Sequence, residues 1–173
     1  MNENILSVRE MLKADIDLII QYWLNADNIF LKKLGVDVNK MPSKDEWVKM
    51  LSEQLGKLYK EKQSYCIIWL ADDKPVGHSN VNKIVFGEEA YMHLHIWNND
   101  IRKKGFGTAF IKKTLPYFFK NLQLKKIYCE PNALNNGPNK TLEKAGFKFV
   151  KNHITTPGWL NFEQPVNLWE IEL

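Results

Sequence analysis

Residues 101–108, Ile-Arg-Lys-Lys-Gly-Phe-Gly-Thr, combine three basic side chains with two glycines. They follow an aromatic and β-branched run that predicts a strand, and they precede apolar residues that recur at helical spacing. A turn between a strand and a helix directs unpaired backbone N–H groups and the positive end of the helix dipole at one place. The glycines would let a ligand approach the backbone where a Cβ would collide. These residues therefore predict an anion-binding turn.

The spacing of the glycines excludes two common phosphate-binding loops. A dinucleotide fingerprint requires a third glycine where Phe110 stands. The nucleoside triphosphate loop requires Gly-Lys-Ser/Thr after a four-residue gap, and the sequence has no such run. What is present is Arg-x-x-Gly-x-Gly at Arg102, Gly105 and Gly107. By itself this pattern also fits an ordinary tight turn with basic flanks.

Positive charge is concentrated around the same turn. The net charge is only +4, but residues 101–129 contain eight Lys or Arg and no Asp or Glu. This local field suits a ligand that carries several phosphates. We do not expect nucleic acid as a partner, because the basic stretch lacks interleaved aromatic residues of the exposed type.

The length of 173 residues suits a single domain over residues 1–173. No apolar run approaches the ~20 residues that span a bilayer, so we expect no membrane partner. The N-terminus lacks the pattern of a secretory signal. Cys66 and Cys129 lie far apart without metal-ligand spacing, so the sequence predicts no metal site and a reduced, cytoplasmic setting.

Periodicity and turn residues predict an alternating series of helices and strands. Strands are predicted at residues 5–11, 64–71, 75–86, 89–97, 125–130, 147–154 and 166–171. Helices are predicted from residue 15, from a Ser43 capping box to about residues 59–62, and over residues 109–122 and 138–145. Residues 25–41 read as irregular. This order indicates a mixed α/β sheet with helices on its faces.

The stretch from Glu130 to Phe147 carries a second motif, with Asn135 followed by Leu-Glu-Lys-Ala-Gly-Phe at 142–147. Together with the Arg-x-x-Gly-x-Gly turn, it resembles the acyl-coenzyme A segments of the GNAT superfamily of N-acetyltransferases, and most closely the RimJ/RimL-like branch. It is also similar to aminoglycoside 6′-acetyltransferases. The resemblance covers residues 64–172 well and the N-terminal third in element order only.

The resemblance implies the GNAT acyl-CoA N-acyltransferase fold, a mixed and mostly antiparallel sheet flanked by helices, with a splayed parallel pair at the cofactor site. It implies acetyl-CoA as co-substrate. The cofactor-binding residues that it indicates are His95, Ile96 and Trp97 on the splayed strand, Arg102, Lys103, Lys104, Gly105, Phe106, Gly107 and Thr108 in the turn, and Asn135 for the pantetheine arm. The acceptor would be an amine on a small molecule or a peptide, and the protein a monomer or homodimer.

Transfer to an amine requires a base, because only the unprotonated nitrogen attacks a thioester. His93 aligns with a family carboxylate and titrates near neutral pH, so it is the candidate base, directly or through water. A hydrogen-bonded sheet histidine is the alternative. Glu130 is the second catalytic candidate, as a ligand for the substrate ammonium.

Two positions depart from the family pattern. Leu142 stands where many relatives have a tyrosine acid, and Pro138 stands where many have a serine. Tyr128, a water molecule or an unassisted thiolate could take the acid's place. The departures also leave open a catalytically silent acyl-CoA-binding module, beside an aminoglycoside-type acetyltransferase. Residues 25–41 and 155–164 are expected to wall the acceptor site.

Overall fold

A seven-stranded mixed sheet organises the protein. The computed structural model describes residues 4–102 and 105–173. The strands are β1 (Leu6–Glu10), β2 (Tyr65–Ala71), β3 (Lys74–Val85), β4 (Glu89–Ile96), β5 (Lys126–Cys129), β6 (Lys148–Thr155) and β7 (Gln164–Glu172). Their order is β1-β2-β3-β4-β5-β7-β6, and β4–β5 is the parallel pair in an otherwise antiparallel sheet. The predicted parallel pairing of these two strands is confirmed.

Six helices in the described ranges cover the sheet and connect its strands. They are α1 (Ile16–Leu24), α2 (Asn28–Lys33), α3 (Lys44–Leu55), α4 (Asn99–Arg102), α5 (Phe106–Leu122) and α6 (Asn136–Ala145). Short 3-10 turns lie at Lys13–Asp15, Val38–Lys40 and Tyr59–Glu61. Helix α5 supplies the crossover that joins the parallel strands β4 and β5, because parallel neighbours cannot be joined by a hairpin. Among the described residues, none forms a helix long and apolar enough to cross a membrane.

Local signals account for several helix boundaries. The Ser43 side chain accepts from the Glu46 N–H, and the Glu46 carboxylate accepts from the Ser43 N–H, so the predicted capping box starts α3. Gly146 ends α6 at a φ of +102°, which favours glycine. Pro116 lies inside α5 on its exposed side, and the helix continues through it as predicted.

Three helix predictions are wrong in detail. Residues 25–41 contain helix α2, which Asp27 caps by accepting from the Phe30 N–H. Helix α5 begins at Phe106, three residues before the predicted start. Helix α3 ends at Leu55, before the predicted end at residues 59–62, because a 3-10 turn leads from there to β2. Leu58, which a longer helix would have buried, is 62% exposed.

The sheet has a hydrophobic core on each face. Strand β2 is buried throughout and contributes to both. On one face, Trp69 stacks on Phe110 of α5 and donates from Nε1 to Thr114 Oγ1 over 2.8 Å. On the other face, α1 and α3 pack on the sheet through Trp23 and Trp47. These two packed layers place the N-terminus of α5 beside the end of β4.

Candidate active site

Strand β4 has an open edge beyond its first three residues. Its parallel ladder with β5 pairs Glu89 with Lys126, Ala90 with Ile127 and Tyr91 with Tyr128, and then stops. Within the described part of the chain, the remaining residues of β4, 92–96, have no strand partner on that side. The two strands therefore separate at the point where the resemblance predicted a splayed pair.

The open edge presents the backbone of alternate residues. The Trp97 N–H donates to the Val76 carbonyl across the β3 side, over 2.8 Å. The backbone N–H and C=O groups of successive residues point to opposite sides of a strand. Those of His95 therefore also pair with β3, whereas those of Leu94 and Ile96 point toward the gap between β4 and β5. Of His95, Ile96 and Trp97, which were predicted to pair with the cofactor, only Ile96 thus has its backbone on the open side. Leu94, which was not predicted, also has its backbone on that side.

Arg102 binds the protein itself. Its Nε and Nη2 both donate to the Ile96 carbonyl, over 3.0 and 2.8 Å. Its guanidinium lies 4.2 Å from the ring centroid of Phe30 in α2. Arg102 was predicted as a cofactor ligand, but here it ties the end of β4 to α2 and occupies a carbonyl of the open edge.

The two glycines of the turn have different environments. Gly105 caps α5 at a φ of +76°, and a Cβ built there would meet no atom within 4 Å. Gly107 is buried, and a Cβ there would lie 3.1 Å from Thr141 Cγ2 of α6. We predicted that the glycines would allow a ligand to approach the backbone closely. At Gly107 the group that approaches the backbone of α5 is instead a side chain of helix α6. Phe106 packs on the core and Thr108 is half-buried in the first turn of α5, while Lys103 and Lys104 lie outside the described residues.

A cavity of about 410 Å³ adjoins the open edge of β4. Its lining includes residues of both faces of that strand, Met92 and Leu94 as well as His93 and His95. It also includes the two catalytic candidates, His93 and Glu130, and the pantetheine candidate Asn135. The structure thus brings His93 together with Glu130 and Asn135, which lie 37 and 42 positions later in the sequence.

His93 is oriented by the neighbouring strand. Its Nε2 lies 3.1 Å from Asn82 Oδ1 of β3, and a carbonyl oxygen can only accept. Nε2 therefore carries the proton and Nδ1 carries the lone pair. Burial, with a contribution from the positive charge of Lys83, lowers the pKa of His93 to about 4. The imidazole is consequently neutral near pH 7, in the state that accepts a proton.

His95 belongs to a second, more deeply packed group. Its Nδ1 lies 3.2 Å from the Tyr22 hydroxyl, and its ring lies 4.8 Å from that of His78. The Trp97 indole donates to His78 Nδ1 over 2.8 Å. Burial lowers the pKa of His78 to about 3 and also lowers that of His95. These side chains form a neutral network at the base of the cavity.

Glu130 and Asn135 stand at the end of β5. The Glu130 side chain is only 8% exposed, and its Oε1 lies 3.1 Å from His153 Nε2. Asn135 is held by Asn139, whose Nδ2 donates to the carbonyls of Asn132 and Asn135 and whose Oδ1 accepts from the Trp169 indole. Asn139 is a positioning residue that our sequence analysis did not single out.

Two loops wall the other side of the cavity. The Gly35 carbonyl accepts from the side chains of Asn161 and Gln164, over 3.0 and 2.9 Å. Gly35 has a φ of +74°, and a Cβ there would fall 2.0 Å from Gln164 Oε1. Residues 34–36 and 157–161 therefore line the cavity together. Both segments were predicted to wall the acceptor site, but no local pattern predicted that they would bind each other.

The family to which the chain belongs follows from comparison with known proteins. Residues 6–148 match the family model described as an acetyltransferase (GNAT) domain. The chain belongs to the GNAT acetyltransferase family. No curated protein sequence matches it. Family membership confirms the predicted enzyme class, an acyl-CoA-dependent N-acetyltransferase that uses acetyl-CoA.

Solved structures with low sequence identity share the fold of this GNAT acetyltransferase. RimL, a ribosomal L7/L12 alpha-N-protein acetyltransferase in complex with coenzyme A, has a TM-score of 0.77 and 14% identity, with 99% of this chain and 98% of that chain covered. Spermidine N-acetyltransferase from Vibrio cholerae, with CoA and spermine, has a TM-score of 0.76 and 20% identity, with 96% and 95% covered. Aminoglycoside acetyltransferase AAC(6')-Ib, with coenzyme A, has a TM-score of 0.72 and 15% identity, with 97% and 95% covered.

The GNAT acetyltransferase places no hydroxyl at the two positions that depart from the family pattern. Leu142 is fully buried in the core, and Pro138 lines the cavity. Tyr128, our candidate substitute acid, packs on Tyr91 at 5.1 Å and is not among the residues that line the cavity. No cluster of three or more His, Cys, Asp or Glu that could hold a metal occurs in residues 4–102 and 105–173.

Proposed function

We propose that this acetyltransferase transfers the acetyl group directly from acetyl-CoA to a primary amine, with His93 as the base and Glu130 as the ligand of the substrate ammonium. The observation that carries the proposal is the cavity at the open edge of β4, which His93, Glu130 and Asn135 line together. A monomer or homodimer in a cytoplasmic setting stays a prediction.

The cofactor-binding residues in this proposal border the gap between β4 and β5. The N–H groups of the turn around Gly105, at the N-terminus of α5, would hold the pyrophosphate. Leu94 and Ile96 would pair with the pantetheine amides through their open backbone, and Asn135 would bind the same arm. Pairing at the Ile96 carbonyl requires that the Arg102 guanidinium yield part of its contact there.

The two candidate catalytic side chains divide the proton chemistry. The acceptor enters as an ammonium, which the Glu130 carboxylate attracts, and it loses one proton to solvent. The free nitrogen attacks the thioester carbon, and its remaining N–H protons become acidic as the N–C bond forms. The Nδ1 lone pair of His93 takes one of them, and the C–S bond breaks with departure of the thiolate. Thiolates leave readily, so this step requires no acid from the positions of Leu142 and Pro138.

The cysteines support direct transfer over an acetyl-enzyme route. Cys66 and Cys129 both line the cavity, and burial raises the pKa of each thiol well above its usual range. A covalent route would require a thiolate nucleophile, and these thiols remain protonated near pH 7. If the amine attacks acetyl-CoA itself, the reaction requires no nucleophile from the protein.

The proposal is tested by release of free coenzyme A in the presence of a panel of primary amines. We expect thiol release that depends on the amine, together with a rise in melting temperature on addition of acetyl-CoA. Gly105→Asp should abolish the rise, because it places a negative charge at the pyrophosphate site. Gly105→Asn is the matched control, since Asn tolerates a positive φ and carries no charge.

The outcomes separate the alternatives. A rise in melting temperature without thiol release for any amine would identify a silent acyl-CoA-binding module. An undiminished rise in Gly105→Asp would place the cofactor away from the turn.

A further inference from the structure

One carboxylate lies deep in the lining of the cavity. Among residues 4–102 and 105–173, Glu53 and Glu130 are the only carboxylates that line it, and no Lys or Arg does. Glu53 is exposed on α3, where solvent screens its charge, whereas the side chain of Glu130 is 8% exposed. Glu88 and Glu89, which precede His93 by five and four residues, do not line the cavity. One buried carboxylate can pair with one ammonium group, so the charge of the cavity suits an amine with a single positive charge.

Three of the six tryptophans of the chain line the same cavity. Trp23 and Trp47 are buried and stack with their rings 9° from parallel, 6.0 Å apart. Trp159 lies 5.7 Å from Trp47 and is 51% exposed, so its ring still has apolar surface to bury. Met50, Leu51 and Leu160 add aliphatic surface to this wall.

The wall also contains an unpaired donor. The Nε1–H of Trp47 is buried and has no hydrogen-bond partner among the described residues. Buried donors in folded proteins are nearly always paired, so a water molecule or a bound ligand would satisfy this N–H.

A polycationic acceptor fits this lining poorly. Each additional ammonium would lose its hydration against tryptophan and leucine without gaining a carboxylate partner. An aromatic body would instead bury apolar area against Trp159 and Trp47. The charge and the aromatic surface together discriminate between amines that the proposed chemistry alone would treat alike.

We infer that the acceptor is a primary amine with one positive charge and an aromatic body, which packs against Trp159 and Trp47 while Glu130 holds the ammonium. This inference rests on the proposed function and specifies its substrate class.

The first test compares amines at fixed acetyl-CoA. The expected kcat/KM for tryptamine and phenethylamine exceeds that for spermidine, kanamycin and a peptide with a free N-terminus by at least about 10-fold. A higher kcat/KM for spermidine, kanamycin or the peptide would overturn the inference while leaving the proposed function intact. Absence of thiol release with every amine would overturn the proposed function itself.

The second test uses the exposed tryptophan. Trp159→Ala should raise the KM for tryptamine about 10-fold, with kcat within about two-fold, because the lost contact binds the body of the amine and not the reacting atoms. Ethylamine, which has no aromatic body, should show an unchanged KM. Phe149→Ala is the matched control, since Phe149 is 53% exposed and does not line the cavity. Equal effects on the two amines, or no effect on either, would overturn the inference.

Discussion

His93 is positioned as a base by one hydrogen bond. Asn82 fixes the proton on Nε2 and leaves the Nδ1 lone pair for the substrate. The low pKa has two consequences: the imidazole is always unprotonated at neutral pH, but it is a weak base for a free ammonium. It is matched instead to the more acidic N–H that develops during attack.

Replacement of His93 should impair chemistry without impairing cofactor binding. His93→Ala is expected to lower kcat by at least about 100-fold, which is the lower range for loss of a general base. The shift in melting temperature on addition of acetyl-CoA should remain, because the turn and Asn135 carry that binding. Steady-state kinetics and thermal denaturation of the same preparation measure the two effects.

Asn82→Asp provides the control for the role of His93. A carboxylate beside Nε2–H favours the imidazolium, so it should move the acidic limb of kcat/KM from about pH 4, where the pKa of His93 places it, to higher pH. His95→Ala is a poorer control, since it breaks the contacts with Tyr22 and His78. A His93→Ala enzyme within a few-fold of the wild-type rate would reduce His93 to a structural residue.

Among the secondary-structure elements, the end of β4 is linked to α2 by Arg102. This contact couples the cofactor side of the gap to an acceptor-side helix, since Arg102 touches both Ile96 and Phe30. The contact of a guanidinium with an uncharged backbone carbonyl depends little on ionic strength, whereas its ion pair with a phosphate weakens as salt is added.

Arg102→Ala should weaken acetyl-CoA binding through loss of strand position. We therefore expect the dissociation constant to rise, while its dependence on ionic strength stays parallel to that of the wild type. Calorimetric titrations at about 50 and 500 mM salt measure this, with Lys113→Ala on the exposed face of α5 as the control for net charge. A loss of affinity confined to low salt would instead indicate a direct ion pair between Arg102 and the cofactor.

At the scale of the whole molecule, the neutral histidines make stability depend on pH. His78, His93 and His95 all have a lowered pKa because burial disfavours the imidazolium. In the unfolded chain a histidine titrates near about 6.5. Below that pH the unfolded state binds protons that the native state does not, until the native pKa of about 3 to 4 is reached.

The free energy of unfolding should therefore fall as the pH is lowered from 7 to 5. The limiting slope is about 1.4 kcal/mol per pH unit for each proton bound by the unfolded state alone. His78→Gln should make the slope shallower, because glutamine cannot titrate and its carbonyl can still accept from the Trp97 indole. Urea unfolding at pH 7, 6 and 5 measures both slopes. A flat stability in the wild type would contradict the neutral buried network.

Much of the architecture was determined by short-range patterns in the sequence. The Ser43–Glu46 capping box, Gly146 and the outward-facing Pro116 are local signals, and the corresponding helix features follow them. The same holds for the glycine turn and the segment at 130–147, whose residue types and order predicted the family and its co-substrate. A parallel β4–β5 pair was predictable because the helix between the two strands supplies the crossover that such a pair requires.

The tertiary structure alone decided what each site residue contacts. The Arg102 guanidinium contacts the Ile96 carbonyl, Gly107 packs against Thr141 of α6, and the Trp97 N–H pairs with β3. The two loops that line one side of the cavity are joined because the Gln164 side chain donates to the Gly35 carbonyl, 129 positions away in sequence. Local propensity carries no information about such contacts, because their free energy arises only when distant segments pack together. For the same reason, only the folded structure shows that Trp23, Trp47 and Trp159 line one cavity.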